Sequence, residues 1–230
     1  VRSYLTTYRK EILGISEYVL RGLRLPYNEQ QKVKRAYRTK LSKQQKANEP
    51  VKHIDQIIKA AVLLTKSKNW KELAVGLTLL SGRRITEILK TATFEDVGEK
   101  KAVLFGGQLK AKGERGTYII PLLGITPKQA VKALKKLRKM LDTTDMTMVQ
   151  VSEKCSYHCR TIAKDNFSKY VGTDGTFKCT NHDLRAIYAT YCTENLKNKS
   201  QSPNSYLSML LGHSEEDLTV ANSYQKFYLV

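Results

Sequence analysis

From Val51 onward the chain alternates apolar and polar positions in a way that predicts discrete elements. Ile54, Ile57, Ile58, Ala61, Val62 and Leu64 fall near helical spacing. The pattern breaks at Lys66-Ser67-Lys68-Asn69, then resumes with Trp70, Leu73, Ala74, Leu77 and Leu80, so two helices are expected between Val51 and Leu80. Ser81-Gly82 ends the second, because glycine closes a helix in the left-handed region without strain, and a further helix is expected from about Arg84 to Thr91. Ala102–Leu109 and Gly116–Leu122 are β-rich runs joined by the polar link Lys110–Arg115, a hairpin signature. Thr126-Pro127 caps and opens a helix whose Val131, Leu134, Leu137 and Leu141 face inward, with Lys132, Lys135, Lys136, Arg138 and Lys139 mostly outward. Beyond Asp142 the pattern predicts a helix within Cys159–Tyr170, a glycine-containing loop over Val171–Lys178, and helices over His182–Leu196, from Ser202-Pro203 to Leu211-Gly212, and over Val220–Leu229. The fold class expected is mainly α with a small antiparallel β-hairpin.

Residues 1–50 read differently. They are polar, mostly helical in pattern, and carry twelve Lys or Arg against four Glu, with Tyr4, Tyr8, Tyr18, Tyr27 and Tyr37 interleaved. That composition suits a helical arm lying on a phosphate backbone, and Arg35, Arg38 and Lys40 are its candidate DNA contacts. A solvated helix with packed tyrosines has the same composition. Pro50 restricts the residue before it, which marks the boundary between the arm or linker, 1–50, and the larger domain, 51–230. The sequence opens on Val1 instead of Met and reads as part of a longer protein. Its longest strongly apolar stretch, Leu73–Leu80, is too short to span a bilayer.

Charge narrows the function classes. Forty Lys and Arg against 21 Asp and Glu give a net +19. Such an excess strains the compact state by self-repulsion and is relieved by a polyanion, with DNA the best fit because each neutralised phosphate releases a condensed counterion. RNA or a merely solubilising surface are the alternatives; no segment reads as a basic amphipathic membrane helix. Four cysteines in 230 residues are too sparse for a disulfide scaffold. Cys155, His158, Cys159, Cys179 and His182 invite a zinc reading, but the Cys155–Cys159 spacing does not suit most structural sites. Buried thiols are the expectation, with no metal.

Four segments carry candidate chemistry. In Ser81-Gly82-Arg83-Arg84-Ile85-Thr86-Glu87, the glycine places Arg84 at a helix start, where its planar fork can meet a phosphate, and Glu87 lies one turn on to orient it. In Gln108-Leu109-Lys110-Ala111-Lys112-Gly113-Glu114-Arg115, a hairpin lysine is placed to reach a groove and protonate a leaving oxygen. In His182-Asp183-Leu184-Arg185, the histidine and arginine share one helical face. In Leu210-Leu211-Gly212-His213, glycine sets His213 at a helix tip, eleven residues before Tyr224. Each alone also fits an ordinary surface arginine, a polar turn or a structural histidine.

Together and in this order, G-x-R-x-x-E, a hairpin lysine, H-x-L-R, and L-G-H before a tyrosine resemble the signature of tyrosine recombinases over roughly Leu64–Phe227. The resemblance implies their catalytic fold and a metal-independent mechanism without cofactor. Arg84, Arg185 and His213 would bind the scissile phosphate and stabilise its transition state, His182 would assist, Lys110 would act as general acid, and Tyr224 would attack to give a 3′-phosphotyrosine. Lys112 and Arg115 would contact DNA. Within the superfamily, the first arginine box, Gln108-Leu109-Lys110 and Tyr224-Gln225-Lys226-Phe227 are similar to telomere resolvases (protelomerases), and the high lysine content is compatible with a spirochaetal (Borrelia-type) member; His182 looks more like an integrase. Membership implies a homodimer on a palindromic telomere junction, hairpin products, and a cytoplasmic, nucleoid-associated place in a bacterial or phage-infected cell. An integrase or Xer-like recombinase, a type IB topoisomerase and a non-catalytic DNA-binding module stay open, as does Tyr228 as an alternative nucleophile one expected helical turn from Tyr224.

Overall fold

The computed structural model describes residues 26–46, 48–109, 116–212 and 224–230, without the side chains of 38 and 40–46. Lys110, Lys112, Arg115 and His213 therefore lie outside the described residues, as do the side chains of Arg38 and Lys40, the expected arm before residue 26 and the hairpin tip.

The chain divides into two compact units, Val1–Lys46 and Ala47–Val230. The first contains α1 (Tyr27–Lys46), a polar helix on which Tyr27, Arg35 and Tyr37 are exposed. The second unit begins with β1 (Glu49–Val51) and continues through α2 (Ile54–Leu64) and α3 (Trp70–Ser81). A π-helical turn (Glu87–Thr91), β2 (Thr93–Glu95), β3 (Ala102–Gly106) and β4 (Tyr118–Pro121) follow. Next come α4 (Pro127–Met140), α5 (Met148–Val151), a second π-helical turn (Ser152–Ser156) and α6 (Tyr157–Phe167). The chain closes with α7 (Asn181–Asn195), α8 (Pro203–Leu211) and β5 (Phe227–Leu229).

Helix α3 is the centre of the core. Every residue from Leu73 to Ser81 is buried, because α2, α4, α6 and α7 all pack around it. A helix apolar on all sides must be enclosed on all sides. Asn69 caps its start by accepting from the Lys71 N–H at 3.0 Å. On α4, Thr126 caps the start as expected, in a reciprocal capping box with Gln129. Of the four residues expected to face inward, Leu134 and Leu137 are buried while Val131 and Leu141 are half-buried, and Ala130 and Ala133 fill the buried face instead. Lys132, Lys135 and Lys139 are exposed, but Lys136 and Arg138 are half-buried. Lys136 reaches the Ser67 carbonyl at 2.7 Å, so a long side chain at the edge of a face finds a backbone acceptor instead of water.

The expected hairpin exists and is larger than the pattern showed. β3 and β4 pair antiparallel, and β2 adds a third strand on the far side of β3. The predicted helix over Val220–Leu229 is overturned where it is described: residues 227–229 are a strand, paired in parallel with β1 through Glu49↔Phe227, Pro50↔Tyr228 and Val51↔Leu229. Phe227 is buried and Tyr228 is exposed, the alternation of a strand. The partner lies almost a chain length away, so no local pattern announces it. Among the described residues no helix is long and apolar enough to cross a membrane.

Candidate active site

Two helices end at one place. Helix α3 terminates at Gly82, with φ of 64°, and α8 at Gly212, with φ of 69°. Two fully buried guanidiniums join these C-termini. Arg83 donates through Nε to the Ser81 carbonyl at 3.1 Å and through Nη2 to that of Leu210 at 2.7 Å. Arg185, from α7, donates through Nη1 to the Gly82 carbonyl at 2.5 Å and through Nη2 to that of Leu211 at 2.8 Å. Carbonyls orphaned at a helix end are thus satisfied by cations that also favour the negative pole of each helix.

The third donor of Arg185 points elsewhere: Nε lies 3.3 Å from the hydroxyl of Tyr224. The Arg185 guanidinium carbon is 5.3 Å from the Tyr224 ring centre, and the His182 ring is 5.0 Å away at 39°. Tyr224 is itself buried, at 4% exposure. His182 and Arg185 therefore meet one tyrosine from one face of α7, as their spacing of three predicts. His182 keeps part of its surface in water, but partial burial of the residue, helped by the nearby positive charges of Lys226, Arg185 and Arg84 and opposed by Asp183, pushes its pKa down, to about 4. Burial likewise lowers that of Arg185, to about 10.

Arg84 stands at the head of the π-helical turn. Its Nη1 donates to Glu87 Oε1 at 2.7 Å and to the Leu109 carbonyl at 3.1 Å, while its backbone N–H donates to Glu87 Oε2 at 2.9 Å. The orienting contact expected of Glu87 is present. Burial pushes the Glu87 carboxyl up, but Arg185, Arg84 and Arg83 together hold it below the ordinary value, so it stays charged. Glu87 also accepts the Leu109 N–H at 3.1 Å, which ties the segment that follows β3, leading toward Lys110, to Arg84. The π-helical widening, with the Ala92 N–H reaching the Glu87 carbonyl at 2.7 Å, falls on this residue.

Several contributors were invisible in the sequence. Arg83 adjoins Arg84 in the same motif, yet it is a buried strut between the Phe105 and Tyr118 rings, 4.8 and 5.6 Å from their centres. It donates to the Tyr118 hydroxyl at 2.5 Å, which donates to Gln108 Oε1 at 2.7 Å, and Gln108 Nε2 donates to the Gly212 carbonyl at 2.5 Å. This relay fixes the residues that lead into Lys110 and His213, both beyond the described positions. No signal in a pair of adjacent arginines tells which one is buried.

Tyr228 stands apart: it is 42% exposed on β5, not one helical turn from Tyr224. The cysteines are all free and buried, and burial raises their thiol pKa values, that of Cys159 to about 12. Among the described residues no three His, Cys, Asp or Glu are grouped to hold a metal.

Comparisons with known proteins identify the family and the fold. The telomere resolvase ResT/TelK catalytic domain family matches residues 48–227. The telomere resolvase ResT of Borreliella burgdorferi (strain ATCC 35210 / DSM 4680 / CIP 102532 / B31) is 23% identical over 177 residues, which cover 76% of this chain and 37% of that protein. A variant of protelomerase TelA covalently complexed with substrate DNA is 25% identical with a TM-score of 0.85, over 99% of this chain and 76% of that one. A second TelA variant, complexed with a DNA hairpin product, is 24% identical with a TM-score of 0.84, over 99% and 75%. With the family matched across most of its length, and its expected arginine, glutamate and tyrosine side chains brought to one cluster, this chain belongs to the telomere resolvase ResT/TelK catalytic domain family.

Proposed function

We propose that the chain is the catalytic part of an enzyme that cuts and rejoins DNA through a 3′-phosphotyrosine and closes replicated telomere junctions into hairpin ends. The observation that carries the reading is the contact of Arg185 with the Tyr224 hydroxyl, beside His182 and within the same charge cluster as Arg84. Tyr224 is the nucleophile. Arg84 and Arg185, with His213, bind the non-bridging phosphate oxygens and stabilise the charge that grows on them in the transition state, and Lys110 protonates the leaving 5′ oxygen. The covalent link conserves the energy of the phosphodiester, so rejoining needs no nucleotide. Family membership, the Borreliella telomere resolvase and the TelA complex with substrate DNA support the substrate class.

The partner is a palindromic duplex bound by two copies of the protein, one active site for each strand, and the cellular place is the nucleoid. Residues 1–50 act as the arm on the flanking backbone, through Arg35, Arg38 and Lys40, while Lys112 and Arg115 hold DNA near the hairpin tip. The net charge of +19 supports this polyanion contact.

The test is a denaturing gel of products from a palindromic telomere duplex, run with and without EDTA. Products that snap back after denaturation, undiminished by EDTA, are expected. Four-way junctions or exchanged strands would assign the chain to integrase-type recombination instead, and binding without any covalent adduct would make it a DNA-binding module.

A further inference from the structure

The turn that carries His182 and Arg185 also holds an ion pair that the proposed chemistry leaves unused. Asp183 lies between them in the first turn of α7 and divides its oxygens. Oδ2 accepts from the N–H and the hydroxyl of Thr180, both at 2.7 Å, which closes the helix cap. Oδ1 pairs with the Nζ of Lys226, two residues beyond Tyr224. The Asp183 side chain is 5% exposed and that of Lys226 29%, so the pair is largely shielded from water.

Lys226 is tied at its backbone as well. Its carbonyl accepts the Glu49 N–H at 2.9 Å, beside the first rung of the parallel pair between β1 and β5. On either side of it, Gln225 Nε2 donates to Asn204 Oδ1 at 2.6 Å and the Phe227 ring meets that of Phe177 at 5.8 Å. A two-stranded pair of three residues each is marginal by itself, and a slip of one residue would turn its side chains to the opposite face. A charge pair of fixed geometry resists such a slip, because a shift of the strand strands a buried carboxylate without its cation.

We propose that Asp183 and Lys226 are positioning residues whose ion pair latches the strand following Tyr224 onto the turn of α7 that presents His182 and Arg185. The inference rests on the reading of Tyr224 as nucleophile. Its consequence is kinetic: the latch fixes where the phenolic oxygen stands, and a misplacement of about 1 Å in an attacking group costs on the order of 100-fold in rate. Lys226 has a second effect on the same cluster. His182 faces Asp183 and Arg185 from its own helix, Arg84 from the first arginine segment, and Tyr224 and Lys226 from the last segment. Removing the Lys226 charge makes His182 easier to protonate.

The experiment compares wild-type protein with Lys226→Gln, Lys226→Arg and Asp183→Asn. It measures the single-turnover rate of covalent adduct formation on a nicked suicide duplex at saturating enzyme, the Kd for that duplex, and amide hydrogen exchange over 224–230. Lys226→Gln is expected to slow the adduct by about 10- to 100-fold with Kd little changed. It should also speed exchange in 227–229 but not in α7, and move the acid limb of the rate to higher pH. Asp183→Asn slows the adduct too but moves the acid limb the other way, and Lys226→Arg restores most of the rate. A Lys226→Gln protein that forms adduct as fast as wild type overturns the latch, and so does equal loss in the Gln and Arg variants with unchanged exchange. If wild-type protein forms no adduct, the reading of Tyr224 fails, and exchange alone then decides the latch: faster exchange in 227–229 supports it and unchanged exchange overturns it.

Discussion

Arg185 Nε stands 3.3 Å from the hydroxyl of Tyr224 while its other two nitrogens hold the carbonyls of Gly82 and Leu211. One fully buried guanidinium thus fixes the ends of two helices and addresses the proposed nucleophile. Catalytic geometry and fold stability are linked through it, whereas its neighbours in the cluster separate the two.

Arg83 and Arg84 are adjacent in sequence but opposite in consequence. Arg83→Ala leaves the carbonyls of Ser81 and Leu210 and the Tyr118 hydroxyl without their donor, and should destabilise the fold by about 3 kcal/mol. Adduct formation, assayed well below the lowered Tm, should stay within about tenfold of wild type, since one kcal/mol or so of lost positioning is all that reaches the site. Arg84→Ala should lower Tm less and cut the adduct rate by at least about 100-fold. Thermal melts and suicide-substrate rates on both variants check the contrast.

Tyr224→Phe should keep the fold and duplex affinity and abolish the covalent adduct, because only the hydroxyl is removed. Tyr228→Phe should form adduct at nearly the wild-type rate, as its side chain lies on the exposed side of β5. An adduct surviving in the Tyr224 variant would reassign the nucleophile.

Gly212 ends α8 at a φ of 69°, and a Cβ there would run into Gln108 Oε1 and the Tyr118 hydroxyl. Gly212→Ala should therefore destabilise by about 2 kcal/mol or more, joining left-handed strain to a steric conflict with the relay. Gln108→Ala should cost about 1 kcal/mol in stability but lower the adduct rate further than that loss explains, because it frees the approaches to both Lys110 and His213. Denaturant midpoints set against single-turnover rates separate these effects.

His182 gives the protein a pH dependence with a defined sign. Its folded pKa of about 4 lies below the ordinary 6.5, so the neutral ring is favoured by folding. The unfolded chain takes up the proton first as pH falls. Stability from this group is therefore full above about 6.5 and is lost as pH drops toward about 4. His182 keeps more than a third of its surface open to water, so solvent screening holds the loss to about 1 kcal/mol. His182→Gln should flatten the stability curve across that window, which denaturant unfolding at stepped pH measures.

The sequence by itself determined most of the helical frame. The apolar periods of α2 and α3, the Thr126-Pro127 start and the glycine stops at 82 and 212 are local signals, because helices are built from contacts three and four residues apart. The order of Arg84, Glu87, His182, Arg185 and Tyr224 was legible as a motif series for the same reason: each lies in a short segment whose local geometry is nearly self-sufficient. Only the tertiary structure decided the rest. Residues 227–229 became a strand because Glu49–Val51 offered a partner from the opposite end of the catalytic unit, and that pairing moved Tyr228 away from Tyr224. It separated Arg83 from Arg84, burying one between Phe105 and Tyr118 and leaving the other to Glu87. It also joined Asp183 to Lys226. These choices depend on which surfaces meet after the helices pack, and contacts between segments tens of residues apart leave no period in the chain that forms them.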